Sequence, residues 1–233
     1  MTMTDTPRFD PRVPLLLVLS VTTGLVDAAS VLGLGKVFTA NMTGNIVFLG
    51  FAAAGTPGFA WPLFVAALLS FLLGALIGGR TGRAHVGRPE RRWLLTAAAI
   101  ESALLWIAAV LAIGMGRNSP ESATLFAIIA LTGLAMGFRN ATIRQMKVAD
   151  LTTTVLTLTL TGLAADSTAA GGGNPNWTRR IAAVAAILIG ACVGAALLLH
   201  VGLAAPLALA GALVLGGTLA CIAHPAANGV VKA

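Results

Sequence analysis

The chain has 233 residues, of which 57% are hydrophobic and only 10% are charged. This composition is typical of a multi-pass membrane protein and excludes an ordinary soluble domain. Lys and Arg outnumber Asp and Glu by 15 to 8, which gives a formal net charge of +7. The basic residues cluster between apolar segments, as membrane-orientation signals do, so the charge does not predict nucleic-acid binding.

Long apolar segments predict membrane-spanning helices, because most of them reach the roughly 20 residues that cross the hydrocarbon core. They cover residues 13–34, 59–79, 93–115, 122–138, 181–199 and 201–223. Two shorter apolar stretches, 38–54 and 151–165, each follow the first long segment of one half of the chain. The predicted fold class is an all-α polytopic membrane protein with about six transmembrane helices and two short re-entrant or broken segments.

The first polar interruption begins at Asp27, about 14 residues into the first long segment. A carboxylate at that depth costs roughly 2.5 to 3.5 kcal/mol on insertion scales, so it is a functional candidate by default. Asp27 could couple the movement of a proton, cation or substrate, or it could be a structural lock held by hydrogen bonds to the broken segment beside it. The sequence leaves both interpretations open.

The first short stretch opens with Asn41, Thr43, Gly44 and Asn45. Asn and Thr before an apolar run are helix-start residues. A half-helix that begins inside the membrane would point free N–H groups at an anion or polar solute, although the same groups could simply cap a buried helix end.

The second polar interruption begins at Arg139 and Asn140. Arg139 is either an interfacial charge or a partner for one of two acids, Asp27 and Asp166. Further on, Thr153 and Thr157 fall on one helical face together with Thr161. Such a stripe can line a polar path or bond back to its own helix. The alternation of Thr and Leu over 157–161 resembles a strand, but a lone strand cannot satisfy its backbone in lipid, so we expect helix or shielded irregular backbone.

The two halves of the chain, approximately 13–115 and 121–223, look related. Residues 24–28 (GLVDA) match 137–141 (GFRNA), and each half later carries a GxxxG pair, which lets helices approach closely. We therefore predict one membrane domain over 1–233 with an internal inverted repeat and a cytoplasmic tail over 1–12. The GxxxG helices could pack within one chain or between two, so a homo-oligomer stays open.

The distribution of basic residues favours re-entrant short segments. If the short segments do not cross, most Arg and Lys residues share one side, including the 80–92 cluster and Arg179-Arg180, as the positive-inside rule requires. This arrangement predicts six spans with both termini in the cytoplasm of a bacterial cell and the protein in the inner membrane. Transporters and channels use inverted repeats of this kind.

The stretches GLVDAASVLGLGKVFTANMTGNIVFLG and GFRNATIRQMKVADLTTTVLTLTLTG resemble the YoaK-like bacterial integral membrane proteins, a family of unknown function. The specific part of the resemblance is Gly24 and Asp27 followed by the Asn-x-Thr-Gly-Asn run that starts at Asn41. The resemblance implies six spans in a membrane but no substrate. This chain reads Thr157-Leu158 where the family often carries a Thr-Gly pair, which weakens the idea that both short segments do identical work.

We expect a small-solute transporter or channel for a polar or anionic solute, with a site near the membrane midplane. The alternative is a non-transporting scaffold or partner-binding membrane protein. An intramembrane enzyme would need Asp27 and Glu101 to meet, and no catalytic, cofactor or metal-ligand motif supports one. The expected partners are the lipid bilayer and the solute. The expected site residues are Asp27, Asn41, Thr43, Gly44, Asn45, Asn140, Thr153 and Thr157.

Overall fold

The computed structural model describes residues 10–114, 123–148, 156–224 and 229–231. Within these residues the chain is helical, and six of its helices are long and apolar enough to cross a membrane. The predicted all-α polytopic membrane fold is therefore confirmed. The α-helices are α1 (Arg12–Gly33), α2 (Met42–Ala53), α3 (Trp61–Ala84), α4 (Glu90–Ile113), α5 (Ala123–Met146), α6 (Leu156–Ala165), α7 (Trp177–His200) and α8 (Ala204–Ala223).

The two short helices, α2 and α6, have 12 and 10 residues. At 1.5 Å per residue the described helices extend roughly 18 and 15 Å, about half of the hydrocarbon core. The alternating Thr and Leu residues over 157–161 lie inside α6. Helix satisfies the backbone there without a partner strand, which is the physical reason why the period-two pattern does not form one.

Two helix pairs, α1 with α7 and α3 with α5, pack closely through glycines. A Cβ added at Gly190 or Gly194 would lie within about 3 Å of the backbone of Val21 or Leu25. Gly74 and Gly78 meet α5 in the same way, at the backbone of Leu134 and Phe138. In both pairs the contacts advance in the same direction along the two helices, so each pair is parallel.

The pair formed by α4 and α8 is antiparallel. The Ser102 hydroxyl donates to the Gly211 carbonyl at 2.8 Å, and the Trp106 indole N–H donates to the Ala208 carbonyl at 3.2 Å. From one contact to the next, the residue numbers therefore rise along α4 while they fall along α8.

One end of the bundle carries the ends of the described chain, and we call it the terminus face. Arg12 at the start of α1 lies 3.9 Å from the Glu90 carboxylate at the start of α4. The Glu90 N–H donates to the Gly229 carbonyl at 2.9 Å, and the Val231 N–H donates to the Arg88 carbonyl at 3.0 Å. Together with the packing directions, these contacts mean that α1, α4 and α7 start at this face, whereas α3, α5 and α8 end there.

The outer surface of the bundle is apolar. Leu69, Leu72, Val110 and Leu188 are each more than half exposed. Contiguous apolar surface of this kind would promote association in water, whereas a lipid bilayer solvates it. The bilayer is therefore the environment of this chain.

Candidate functional site: a buried charge cluster

Arg139 lies in the C-terminal half of α5, which ends at the terminus face, and its side chain is only 1% exposed. Its guanidinium forms an ion pair with Glu101 of α4, which is also buried. Nε donates a hydrogen bond to Glu101 Oε1, while Nη2 lies against the same oxygen without hydrogen-bond geometry. The pair joins the two halves of the chain.

A turn of α1 supplies the remaining partners of the guanidinium. Arg139 Nη1 donates to the Leu19 carbonyl and to Thr23 Oγ1, each at 3.2 Å. The Thr23 hydroxyl itself donates to the Leu19 carbonyl at 3.0 Å, which turns its lone pairs toward the arginine. These bonds matter because a buried charge is tolerated only when it is both paired and hydrogen-bonded.

Asp27 lies one helical turn beyond Thr23 on α1. Its carboxylate interacts with the Ala40 backbone N–H and with the charge of Arg139. Its Oδ1 is buried and makes no hydrogen bond within the described chain. The charge cluster, which we define as Asp27, Glu101, Arg139 and Thr23, therefore places one guanidinium within the influence of two carboxylates, of which it pairs with Glu101.

A small cavity adjoins Glu101 and Arg139 on the side of the terminus face. It has room for about one water molecule. Its other lining residues come from the parts of α1, α4, α5 and α8 that lie toward that face, among them Leu15, Thr142, Met146 and Thr218. Asp27 does not line it, so the cavity reaches the ion pair from one side only.

Asn45 and Gly44 hold the loop that connects α1 to α2. Asn45 Oδ1 accepts a hydrogen bond from the Phe38 N–H at 2.9 Å, and its Nδ2 donates to the Phe38 carbonyl at 2.5 Å. The Phe38 ring packs on Gly44, where an added Cβ would lie 2.6 Å from Cδ2. Both residues thus fix the loop that brings Ala40 to Asp27, and the amide of Asn45 is engaged at both ends.

The other predicted site residues lie in different surroundings. Asn41 and Thr43 are exposed, and Asn41 precedes α2 without a side-chain capping bond. Asn140 is half-buried beside Arg139 and donates to the Met136 carbonyl at 2.8 Å. Thr157 is exposed on α6, which packs on α7, and Thr153 lies outside the described residues. Of the predicted residues, Asp27 is the one that belongs to the charge cluster.

Sequence reasoning did not identify Glu101 as the partner of Arg139. The acids predicted as partners of Arg139 were Asp27 and Asp166, but Asp166 pairs with Arg180 at 2.7 Å. The available signal was the isolation of Glu101 and Arg139, single charges of opposite sign deep within two long apolar helices that follow each other in the chain. Among the described residues, no three His, Cys, Asp or Glu side chains gather closely enough to hold a metal ion.

Comparisons with known proteins agree with this architecture. Residues 15–220 match a family described as "Protein of unknown function (DUF1275)". The UPF0700 transmembrane protein YoaK of Bacillus subtilis (strain 168) is 33% identical over 159 residues, which cover 66% of this chain and 67% of that protein. The predicted resemblance is confirmed. No solved structure matches the chain.

Proposed function

We propose a transport function for this chain, which belongs to the DUF1275 family of proteins of unknown function. It would carry a small polar or anionic solute across the bacterial inner membrane, as a transporter or a channel. The observation that carries the proposal is the charge cluster, which is buried among apolar helices. Apolar side chains at these positions would pack the helices without the cost of desolvating charges. Intramembrane charges of this kind commonly mark a solute or proton pathway.

The arrangement of the helices supports an internal inverted repeat. The packing of α3 on α5 has its counterpart in that of α7 on α1, with Gly137 against Ala75 in one pair and Gly24 against Ala191 in the other. Each of α1, α3 and α4 runs opposite to its counterpart α5, α7 or α8. Inverted-repeat transporters place their sites near the midplane where the repeats meet. Arg139 lies where the two halves of the chain meet, because it belongs to the second half and bonds to both α1 and α4 of the first, and this supports a site at that boundary.

We propose that the terminus face is cytoplasmic. Arg12, Arg88 and Arg91 lie there, and Arg179 at the start of α7 is close enough to interact with Asp10. Short basic segments of this kind stay on the cytoplasmic side of the membrane. The cavity beside Glu101 would then be the cytoplasmic approach to the charge cluster, and the α1–α2 loop would close the opposite side.

A flux assay tests the transport proposal directly. Proteoliposomes with a pH-sensitive dye inside would be challenged with acetate, inorganic phosphate or glycine, with and without a pH gradient. We expect at least one solute to move faster than in empty liposomes, and Asp27→Asn to lower that flux at least about tenfold. Asp10→Asn, which changes a carboxylate at the terminus face, is the matched control and should keep it. Equal flux through wild type and Asp27→Asn would remove Asp27 from the pathway.

The second candidate function is a non-transporting scaffold. The bonds of Asn45 to Phe38 favour it, because they give part of the predicted polar site a packing role. Thermal unfolding in detergent separates the candidates, since a solute that binds the folded state raises its melting temperature by mass action. No rise with any solute of the panel, together with no flux, would favour the scaffold. We propose no catalytic activity.

A further inference from the structure

Arg139 stands between the cavity and Asp27. On α5, the cavity-lining residues Thr142 and Met146 lie one and two turns closer to the terminus face than Arg139. On α1, the cavity is lined by Leu19, whereas Asp27 lies two turns farther from that face, about 12 Å along the helix. The guanidinium is anchored to the Leu19 carbonyl and to Thr23, between these two levels.

Two polar atoms of the cluster are buried without a hydrogen bond within the described chain, and they are complementary. One is a donor, Arg139 Nη2, which contacts Glu101 Oε1 in the ion pair without hydrogen-bond geometry, and the other is an acceptor, Asp27 Oδ1. The two residues already interact electrostatically. A buried unsatisfied polar group usually has a specific reason, because leaving it unpaired costs free energy. A shift of the guanidinium toward Asp27 would give both atoms a hydrogen bond, while it would break the contact of Nη2 with Glu101.

We propose that Arg139 is a gate that exchanges Glu101 for Asp27 as its partner. This inference rests on the proposed transport function, whose site it supplies with a mechanism. In the arrangement described here Arg139 holds Glu101, which matches a protonated, neutral Asp27. When Asp27 releases its proton away from the cavity, its carboxylate draws the guanidinium over, and Glu101 takes up a proton from the cavity.

Charge balance supports the exchange. Each state holds one guanidinium, one carboxylate and one neutral carboxylic acid, so the buried cluster keeps a net charge of zero while one proton is lost and one is gained. A state with an unpaired charge would carry a large desolvation penalty in this apolar setting. The other charged groups on the described helices lie away from the cluster. α8 carries none, α7 carries Arg179, Arg180 and His200 only near its ends, and Lys36 of the α1–α2 loop stacks on Phe59. Those of α1, α3, α4 and α5 lie toward the terminus face, and they are Arg12, Arg80, Arg83, Glu90, Arg91, Arg92 and Arg144.

A double-mutant cycle on the purified protein in lipid nanodiscs tests the exchange without any solute. Glu101→Gln and Asp27→Asn each leave Arg139 one carboxylate, whereas the double variant leaves none. We expect the melting temperature of the double variant to fall by at least about twice the sum of the two single-variant decreases, since the effects of groups that share a partner are not additive. In an Arg139→Gln background the excess loss should disappear.

The fixed-pair alternative makes a different prediction. If Arg139 pairs only with Glu101, Glu101→Gln alone produces the full loss of melting temperature, and Asp27→Asn adds a separate loss of its own. Additive losses would therefore overturn the proposed gate. If the double variant does not fold, recovery of folded protein on adding Arg139→Gln supports the exchange, and failure to recover counts against it. Non-additive losses of melting temperature without solute flux would remove the transport proposal and leave the exchange standing. Solute flux with additive losses would remove the exchange and leave the transport proposal standing.

Discussion

The guanidinium of Arg139 on α5 is held against the carboxylate of Glu101 on α4, and both side chains are buried. The two residues lie in different halves of the chain, so this ion pair also fastens the halves together. It leaves a second acid, Asp27, beside the same cation with one oxygen that has no bond within the described residues.

Removing the cation alone should be costly. We expect Arg139→Leu to lower the free energy of unfolding by about 3 kcal/mol or more, because it leaves the Glu101 carboxylate buried without its partner. The double variant Arg139→Leu/Glu101→Leu should recover most of that loss, since an apolar pair of similar size needs no desolvation. Denaturation in mixed micelles measures the free energy of unfolding of both variants. A double variant that is less stable than Arg139→Leu would contradict the ion-pair interpretation.

The close approach of α3 and α5 depends on Gly74. An added Cβ would meet the backbone of Leu134, with its Cα at 2.9 Å, so Gly74→Ala should force the helices apart and lower the melting temperature. Gly79→Ala on the same helix is the matched control, because nothing lies within 4 Å of its added Cβ. Alanine has the higher helix propensity, by up to about 1 kcal/mol, so the control should be neutral or slightly stabilising. Equal losses in both variants would show that the contact does not matter.

Asn45 should be required for stability rather than for solute contact alone. Asn45→Ala leaves the Phe38 N–H and carbonyl without their partner, which we expect to cost about 1 to 3 kcal/mol. Thr43→Ala changes an exposed residue two positions away and should leave the melting temperature unchanged. If Asn45→Ala instead keeps full thermal stability but loses solute flux, Asn45 belongs to the pathway, as the sequence analysis predicted.

Cysteine labelling should distinguish the two faces of the membrane. In a Cys192→Ala, Cys221→Ala background, Gly173→Cys between α6 and α7 should be protected from a membrane-impermeant maleimide in intact cells and react after permeabilisation. Gly173 suits the test because its added Cβ has nothing within 4 Å, whereas that of Gly172 would meet the Asp166 backbone. Thr56→Cys, exposed between α2 and α3, is the control and should react in intact cells. The opposite pattern would place the terminus face outside the cell.

Part of the candidate site was predictable from the sequence because its signal is local. Asp27 was identified as an acid inside an apolar segment, and Asn41 as the residue before a short helix. Asn45 was also identified, but its role depends on the loop folding back until Phe38 reaches it. No local pattern specifies that return of the chain.

By itself, the sequence determined the membrane environment, the number of long spans and the shortness of α2 and α6, because apolar length and polar interruptions are properties of contiguous residues. Only the tertiary structure decided that Arg139 pairs with Glu101 and that Asp166 pairs with Arg180. The choice of partner depends on which faces of separate helices meet. That geometry arises from glycine contacts between residues far apart in the chain, such as the packing of Gly74 of α3 against α5 and of Gly190 of α7 against α1.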